Sequence, residues 1–362
     1  MIIKKIALGI LTGANIVSAL LLVATAYSDH VNPVSYPRLA CIGMVFPIMV
    51  VINLVFIFIW AFLAWRRMWI TVVALIVSYP AIRVFLPLHL TEDPPEGCLK
   101  VLTYNVCGYT GNKDYDGELD SICDYIVRQD ADIVCVQEDN NSKTDPVERW
   151  QELYSYNDTM HTNPPTSSLI SAIGFHSRFP ILKRERIDYE SKSNASVAYF
   201  LLINGDTVIV INNHLESTHL SPDDRRLYKD MLRGEMGRQE VEQETRHLIN
   251  KLADAMAIRA RQADAVHEYI ETHRQWPIIV CGDFNDTPIS YTRRTIAQGL
   301  LDCFVETGSG LGLSYNQKGF NFRIDHILCS EHYVPFACQV DSKMEASDHY
   351  PVFCWLKMVD KP

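Results

Sequence analysis

Six short polar clusters stand at or near the ends of apolar, strand-like runs in this 362-residue sequence. Their polar members are carboxylates, amides and imidazoles, which bind cations, position water and transfer protons. One cluster alone would be ordinary turn chemistry, because strands often end in Asn or Asp. Together they indicate one site to which distant loops contribute. The members are Asn105, Glu138, His214, Asp283, Asn285, Asp325, Asp348 and His349.

This set of residues meets the requirements of phosphoester hydrolysis. The reaction needs a cation against the phosphoryl oxygens, a group that positions or deprotonates water, and donors for the other oxygens. Glu138 is a hard oxygen ligand of the kind that Mg²⁺ prefers, and Asp348 and the amide of Asn105 can add to its shell. We therefore predict that these three residues bind the metal.

The other five residues are candidates for the catalytic steps. In the GDFN run, side chains two positions apart share a face if the segment is extended, so Asp283 can hold a water while Asn285 donates to phosphate. His349 is a candidate for proton transfer or phosphate contact, with Asp325 accepting from its other ring nitrogen. His214 would contact the phosphoryl group or the leaving oxygen.

The motifs TYN, QED, NHL, GDFN, RIDHI and SDH occur in this order between Leu99 and Trp355. In this order they resemble the endonuclease/exonuclease/phosphatase superfamily. The resemblance implies an α/β (α+β) fold, a four-layer sandwich of two packed sheets flanked by helices. It also implies Mg²⁺ or Mn²⁺ as cofactor and a metal-activated water that attacks phosphorus. Substrates of the family include nucleic acids, nucleotides, phosphoinositides and sphingomyelin.

The same resemblance implies a role for each candidate residue. The long charged segment after His214 looks like an insertion that shapes the substrate entrance, and His326 stands where the family often has Tyr. The family's active-site Asn, metal-binding Glu, first catalytic His, water-positioning Asp and Asn, late Asp and terminal Asp-His correspond to Asn105, Glu138, His214, Asp283, Asn285, Asp325, Asp348 and His349.

Apolar runs between turn clusters predict the strands that carry these residues. Helices are predicted over Leu119–Gln129 and over much of Pro222–Thr272. One continuous mixed pattern over residues 99–362 predicts a single catalytic domain. The predicted strands are Leu99–Asn105, Ile133–Gln137, Ala172–His176, Val197–Ile203, Thr207–Asn213, Trp276–Cys281, Ile324–Ser330 and Val352–Leu356.

Residues 1–91 have a different character and predict a membrane region of about three transmembrane helices, joined to the catalytic domain by a linker over 92–98. An uncharged run of about 20 residues is long enough to cross the hydrocarbon core as a helix. The third run is the weakest, because it contains Pro80 and Arg83. The three runs are Ile6–Tyr27, Leu39–Trp65 and Met68–Leu86.

Basic residues predict how this region is oriented. Only Arg38 lies in the short loop between the first two runs, whereas the opposite end carries Lys4, Lys5, Arg66 and Arg67. The positive-inside rule then places the N-terminus in the cytoplasm. Three crossings predict a multi-pass protein of the cell membrane with an extracytoplasmic catalytic domain. A rival interpretation takes Met1–Ala26 as a cleaved signal peptide, and it leads to the same side.

Charge and cysteine content constrain the function further. Six of 33 basic and one of 43 acidic residues precede residue 92, so 27 basic and 42 acidic residues follow, a net charge near −15. Such a surface disfavours tight nonspecific binding of nucleic acid. Nine of ten cysteines lie in the same part, an odd number for an oxidising compartment. Cys135, Cys281, Cys329 and Cys354 occupy apolar runs and are predicted to be buried thiols.

The sequence therefore predicts a metal-dependent phosphoester hydrolase tethered to a lipid bilayer. Its substrate is a lipid head group, a small phosphoester or a nucleic acid, and no obligate protein partner is inferred. One alternative is an extracytoplasmic endonuclease or exonuclease. Another, from a different class, is a non-catalytic membrane-associated module that keeps the fold as a binding surface.

Overall fold

The structure is a computed structural model that describes residues 2–109, 122–140, 152–162, 171–191, 193–218, 221, 223–224, 226–227, 238–317 and 320–359. Its catalytic part is built mainly from strands. In chain order these are β1 Leu99–Asn105, β2 Ile133–Gln137, β3 Tyr156–His161, β4 Ala172–Ser177, β5 Ile181–Arg186, β6 Ala195–Ile203, β7 Asp206–His214, β8 Ile278–Asp283, β9 Leu301–Asp302, β10 Tyr315–Gln317, β11 Phe320–Phe322, β12 Asp325–Cys329, β13 Tyr333–Val340 and β14 Val352–Met358.

Twelve of these strands form two six-stranded mixed sheets. Sheet 1 has the order β13-β14-β1-β2-β4-β3, and sheet 2 has the order β5-β6-β7-β8-β12-β9. The parallel pairs β1 with β2 and β7 with β8 lie at the centres of their sheets, and the other pairs are antiparallel. Strands β10 and β11 form a separate hairpin.

The apolar residues of the central strands are buried on both faces of the sheets. In β7, Val208 and Val210 pack between the two sheets, whereas Ile209 and Ile211 face the helices behind sheet 2. This follows from the two-residue period of a strand, which sends alternate side chains to opposite faces. Helices therefore cover the outer faces and make a four-layer α/β sandwich, which confirms the predicted fold class.

The helices of the N-terminal hydrophobic part, which is predicted to be the membrane region, are α1 Ile2–Ala26, α2 Pro37–Ala40, α3 Phe46–Leu63, α4 Trp69–Val77 and α5 Tyr79–Phe85. Those of the catalytic part are α6 Ile122–Gln129, α7 Arg238–Thr272, α8 Tyr291–Ile296 and α9 Cys303–Thr307. Helix α6 packs on sheet 1, and α7 and α8 pack on sheet 2. The predicted start of the first helix, 119–121, lies outside the described residues, as does most of 222–237.

All eight predicted strands are present, with ends that differ by a few residues. The strands that the sequence did not predict include the edge strands β3, β5, β9 and β13. Edge strands such as β5, with the sequence ILKRER, leave charged side chains exposed and lack the apolar signal of a buried strand. The four cysteines predicted to be buried thiols are fully buried and unpaired.

Two candidate spans of the hydrophobic part are long and apolar enough to cross a bilayer, Ile2–Ala26 and, with α2 and α3 counted together, Pro37–Leu63. The third hydrophobic run is a pair of helices, Trp65–Val77 and Tyr79–Phe85, bent by 61°. The bend precedes Pro80, which has no N–H for a continuous helix and restricts the residue before it. The number of possible crossings is therefore two, or three if the bent pair is one span.

Buried polar contacts hold the hydrophobic helices together. The Asn15 side-chain amide of α1 donates to the Thr71 hydroxyl of α4 at 2.8 Å, and the Trp60 indole of α3 donates to the Asn15 side-chain oxygen at 2.8 Å. Hydrogen bonds between apolar helices satisfy polar groups that are buried away from water. A single asparagine therefore links three helices.

The segment between α1 and α3 packs against the catalytic part. Arg38 donates to the side-chain oxygen of Asn250 on α7 at 3.0 Å. Near the end of α5, Arg83 forms an ion pair of 2.7 Å with Glu306 of α9. The hydrophobic part is thus attached to the C-terminal part at both of these points.

Gly282 in β8 allows the two central strands of sheet 2 to approach closely. It has φ +129°, and a Cβ placed there would lie 2.0 Å from the carbonyl oxygen of Asn213. We expect Gly282→Ala to lower the free energy of unfolding by at least about 3 kcal/mol, because backbone strain and steric clash add. Urea denaturation followed by tryptophan fluorescence would measure the change.

Gly205 provides the matched control. It also has a positive φ, +90°, but no atom lies within 4 Å of its added Cβ. It follows Asn204 in the tight turn between β6 and β7. Gly205→Ala should therefore cost only about 1 kcal/mol of conformational strain. Equal losses in the two variants would contradict the steric argument.

Candidate active site

Strand register aligns three of the candidate residues in one row across sheet 2. His214 on β7 is paired with Asp283 on β8, and Asp283 is paired with Asp325 on β12. In sheet 1, Asn105 ends β1 and Glu138 follows β2. Because the two sheets pack face to face, these strand ends meet at one edge of the sandwich.

Asn105 connects the two sheets at this edge. Its amide nitrogen donates to Glu138 Oε1 at 3.2 Å and to Asp283 Oδ2 at 3.1 Å. Its amide oxygen accepts from the backbone N–H of Cys107 at 3.1 Å. In this geometry Asn105 positions two carboxylates, and its direct binding to a metal stays a prediction.

Asp283 and Asn285 form a local turn at the end of β8. The backbone N–H of Asn285 donates to Asp283 Oδ1 at 2.8 Å, and Asn285 has φ +52°. The Asn285 amide donates to the Leu215 carbonyl at 2.9 Å and to Asp283 Oδ2 at 3.2 Å. The turn is therefore more compact than the extended segment expected from the sequence, but it still places both side chains together.

His349 and Asp325 are in direct contact. His349 Nδ1 lies 2.8 Å from Asp325 Oδ2, and its Nε2 lies 3.7 Å from Asp283 Oδ2. Burial on its own lowers the pKa of His349, but the charges of Asp325 and Asp283 outweigh burial and raise the pKa well above its usual value. The contact matches the orienting role predicted for Asp325 and leaves Nε2 directed toward Asp283.

His214 faces the same carboxylates from sheet 2. Its Nε2 lies 3.8 Å from Glu138 Oε1 and 3.9 Å from Asp283 Oδ2. Burial lowers the pKa of this imidazole, and the charge of Asp283 opposes the shift. Asp348 is half-buried and lines the same cleft as Glu138. The structure thus brings all eight candidates to one region.

Two serines that the sequence analysis did not select hold the loops of this site. The Ser314 hydroxyl accepts from the backbone N–H groups of Ile324 and Asp325 at 3.1 and 3.0 Å. The Ser347 hydroxyl donates to the Asn105 carbonyl at 2.7 Å. Ser347 begins the SDH motif and could have been selected, whereas nothing in the local sequence distinguishes Ser314.

A buried polar contact joins the two sheets beneath the site. The Gln137 amide of β2 donates to the Asn212 side-chain oxygen of β7 at 2.6 Å. The Asn212 amide donates to the carbonyls of Val136 and Gly174 at 3.2 and 3.0 Å. Buried polar groups that are all paired make a packing arrangement specific. This contact fixes the spacing between the strands that carry Glu138 and His214.

The donor set fits a divalent cation. Among the described residues, no Lys or Arg forms an ion pair with Glu138, Asp283 or Asp325. Burial raises the pKa of Glu138, with the Asn105 hydrogen bond and the His349 charge opposing it. Asp325 Oδ1 is buried without a described hydrogen-bond partner. Hard oxygen ligands that no Lys or Arg neutralises are surroundings in which Mg²⁺ or Mn²⁺ binds.

Three of the candidates, Asp283, Asp325 and His349, each offer one ligand atom within 4.8 Å of the others. The predicted ligands Glu138 and Asp348 are the more exposed carboxylates and face the cleft. Because His349 already binds Asp325, we retain Glu138 and Asp348 as the predicted metal ligands. Asp283 lies between the two groups.

His326, next to the site residue Asp325, is a buried histidine that affects stability. It is 1% exposed, and burial lowers its pKa to about 4, with the charge of Asp302 opposing the shift. The unfolded chain binds a proton on this ring below about pH 6.5, whereas the folded state does so only near pH 4. Stability should therefore fall by about 3 kcal/mol as the pH decreases from 6.5 to 4.

Urea denaturation at pH 7.5 and pH 4.5 would measure this effect. We expect His326→Gln to lose less stability than the wild type between these two pH values, because its side chain does not titrate. His161→Gln, which changes an exposed histidine on β3, is the matched control and should keep the wild-type dependence. An unaltered dependence in His326→Gln would contradict the prediction.

The comparison with protein families covers the part of the chain that carries these residues. Residues 102–349 match the model described as the Endonuclease/Exonuclease/phosphatase family. The chain belongs to this family. Its members are phosphoester-hydrolysing enzymes that generally use divalent metals, so this protein is a hydrolase acting on phosphoester bonds. Residues 8–85 match a separate domain of unknown function.

Solved structures of the endonuclease/exonuclease/phosphatase fold resemble the chain at low identity. The human Nocturnin catalytic domain with bound sulfate is 15% identical, with a TM-score of 0.53, and the match covers 74% of this chain and 96% of that one. An endonuclease/exonuclease/phosphatase from Beutenbergia cavernae is 16% identical, with a TM-score of 0.50 and coverage of 72% of each chain. A comparison with curated proteins found no significant match. These similarities establish the fold and leave the substrate open.

Proposed function

We propose that this protein is a multi-pass membrane hydrolase that cleaves a phosphoester at the extracytoplasmic face of the cell membrane. Mg²⁺ or Mn²⁺ would be held by Glu138 and Asp348, with Asn105 completing or positioning the set. The observation that carries the proposal is the convergence of Glu138, Asp283 and His349 in one cleft beside a hydrophobic helical region. When bound, the metal neutralises charge on the phosphoryl oxygens.

The protein side chains would then carry out the remaining steps. Asp283 holds the attacking water, and Asn285 exchanges its contact with Asp283 for a phosphoryl oxygen. Water attacks phosphorus, the bond from phosphorus to the leaving oxygen breaks, and the proton lost by water balances the one gained by the leaving group. His349, oriented by Asp325, moves a proton or binds phosphate, and His214 lies at the opposite side.

Contacts within the chain support the topology. Arg67 donates to the carbonyl of Leu8 at 2.7 Å, which places the loop between α3 and α4 beside the first turns of α1. The segment over residues 28–45 and the end of α5 instead contact the catalytic domain. This arrangement supports a third crossing, in which the bent helix pair returns the polypeptide across the membrane. The positive-inside rule then puts Arg66 and Arg67 in the cytoplasm.

The test of activity uses the purified full chain with Mg²⁺, Mn²⁺ or EDTA. Sphingomyelin, phosphoinositides, DNA and RNA are offered as substrates at equal concentrations. We expect metal-dependent cleavage of a lipid phosphoester and little cleavage of nucleic acid. Preferred cleavage of DNA or RNA would favour the nuclease alternative. Absence of cleavage on every phosphoester tested would favour a non-catalytic module and overturn the proposal.

The test of topology is protease accessibility in intact cells. We expect an external protease to degrade the catalytic domain while the loop that contains Arg66 and Arg67 stays protected. Permeabilised cells provide the control in which both parts are accessible. Protection of the catalytic domain until permeabilisation would place it in the cytoplasm and contradict the proposed orientation.

A further inference from the structure

The cleft beside the catalytic residues has two chemically different walls. Its volume is about 630 Å³, within the range of about 300–1,000 Å³ that is usual for small-molecule sites. One wall carries the polar side chains of Glu138, Asp348 and His349. The lining also includes a set of apolar side chains, here called the apolar wall, which phosphoester chemistry does not require; among them are Met44, Leu248, Leu252, Met256, Phe322 and Ile324.

Helix α7 supplies much of the apolar wall. Leu248, Leu252 and Met256 line the cleft, and their spacing of four residues puts them on one face of the helix. Leu248 is 8% exposed and Met256 is 4% exposed, so this face is turned away from bulk solvent. The first half of the helix is otherwise rich in charge, and these apolar side chains are directed at the cleft, whereas the second half packs on sheet 2.

The membrane part contributes to the same wall through Met44. This residue lies between α2 and α3 and lines the cleft with the α7 residues. Its neighbour Gly43 is packed so tightly that an added Cβ would lie 2.7 Å from the carbonyl oxygen of Ile289. The hydrophobic region is thus in direct contact with the site and forms part of its surface.

A second cavity continues the apolar surface toward the hydrophobic helices. It has a volume of about 160 Å³ and shares Met44, Thr287 and Phe322 with the larger cleft. Its lining includes Pro47 of α3 and Phe85 of α5. Apolar side chains therefore extend from the catalytic carboxylates to the helices that would stand in the bilayer.

The charge of the cleft argues against a polyanionic substrate. Among the described residues that line it, Arg259 is the one Arg or Lys, and it is 1% exposed. Arg259 already contacts Asp286 at 3.3 Å and donates to the Glu216 carbonyl at 2.9 Å. Nucleic acids and multiply phosphorylated head groups need several cations along their phosphates. A single phosphate neutralised by the metal has no such need.

We propose that the apolar wall binds a hydrocarbon chain of a membrane lipid whose single phosphoester lies at the carboxylates. The inference rests on the proposed function and specifies its substrate class. The hydrocarbon chain of the lipid lies along Leu248, Leu252 and Met256 and passes Met44 toward the second cavity. The phosphoester then reaches Glu138 and Asp283 while the tail stays out of water.

The experiment compares phosphodiesters that differ only in chain length. The protein is placed in nanodiscs of a phosphate-free galactolipid and given Mg²⁺ with methyl, butyl or octyl p-nitrophenyl phosphate. Hydrolysis breaks the bond from phosphorus to the aryl oxygen and releases p-nitrophenolate, which is measured by absorbance. We expect kcat/KM to be roughly 100-fold higher for the octyl than for the methyl ester, since buried methylene groups strengthen binding.

Two variants make the wall polar, Leu252→Asn on α7 and Met44→Asn in the membrane part. Each should reduce the ratio of octyl to methyl kcat/KM by roughly tenfold, because a polar amide removes apolar contact area. Leu182→Asn, at a leucine of β5 that is 53% exposed, is the matched control and should keep the ratio. Partition of long chains into the nanodisc is the same in all variants, so it does not affect the comparison.

Binding of methylphosphonate and octylphosphonate, measured by calorimetry with Mg²⁺, separates this inference from the proposed function. Hydrolysis without a preference for the octyl ester overturns the apolar site and leaves the proposed function intact. The same conclusion follows if the preference is present but unchanged in both Leu252→Asn and Met44→Asn. No hydrolysis, but tighter binding of octylphosphonate that both variants lose, supports the apolar site and overturns the function. No hydrolysis and no chain-dependent binding overturns both.

Discussion

Replacement of Glu138 by Gln is expected to lower kcat/KM for phosphoester cleavage by about 1,000-fold. The change keeps the size of the side chain but removes the negative charge of the principal predicted metal ligand, and charge stabilisation at such a site is worth several kcal/mol. Glu138 follows β2 with φ +55°, and its side chain is 35% exposed toward the cleft. Steady-state kinetics with saturating Mg²⁺ would measure the loss.

The same variant should also lose its thermal response to Mg²⁺. A cation that binds only the folded state raises the melting temperature by mass action, so the wild type should melt higher with millimolar Mg²⁺ than with EDTA. We expect no such rise for Glu138→Gln. Glu331→Gln, which changes an exposed glutamate in the turn before β13, is the matched control. Wild-type activity together with a wild-type Mg²⁺ response in Glu138→Gln would refute the metal assignment.

Replacement of His349 by Gln is expected to lower kcat by about 1,000-fold. His349 is 4% exposed, and its imidazole touches Asp325 through Nδ1 and directs Nε2 toward Asp283, so glutamine cannot reproduce its proton transfer or charge. Asp325→Asn acts through His349 and should cost only about 10- to 100-fold. Rapid mixing with a chromogenic phosphodiester would give kcat for each variant.

A double-mutant cycle tests whether these two residues act as one unit. The double variant should be no slower than His349→Gln, because Asp325 has no role once the imidazole is gone. In Asp325→Asn the pKa of His349 should fall, since the neighbouring negative charge is lost, and the limb of the pH profile that reports His349 should move to lower pH. Independent, multiplying effects with an unshifted profile would show that Asp325 is merely structural.

The sequence by itself determined the central strands and the identity of the candidate residues. Runs such as VIVINNH are apolar at successive positions, which face both sides of the sheet, and they end in polar residues. The strand and its functional end are therefore local properties of the sequence. The hydrophobic runs before residue 91 were equally evident. Strands with mixed composition were missed, because β5 and β3 lie at sheet edges and bury only part of their surface.

Only the tertiary structure decided how the candidates meet. His214, Asp283 and Asp325 form one row because of the pairing register of three strands, and register depends on contacts between distant segments. The amide nitrogen of Asn105, rather than its oxygen, faces Glu138, because the amide oxygen accepts a hydrogen bond from the backbone N–H of Cys107. Neither the strand register nor the orientation of the Asn105 amide can be predicted from a local sequence pattern.

The apolar wall of the cleft also arises only in three dimensions. Leu248, Leu252 and Met256 stand among charged residues, and in the sequence this segment resembles a solvated helix surface. Met44 lies far away in the chain, and its contribution depends on the docking of the hydrophobic region against α7. Local propensity sets which residues form helices and strands, whereas the packing of those elements sets which side chains share a site.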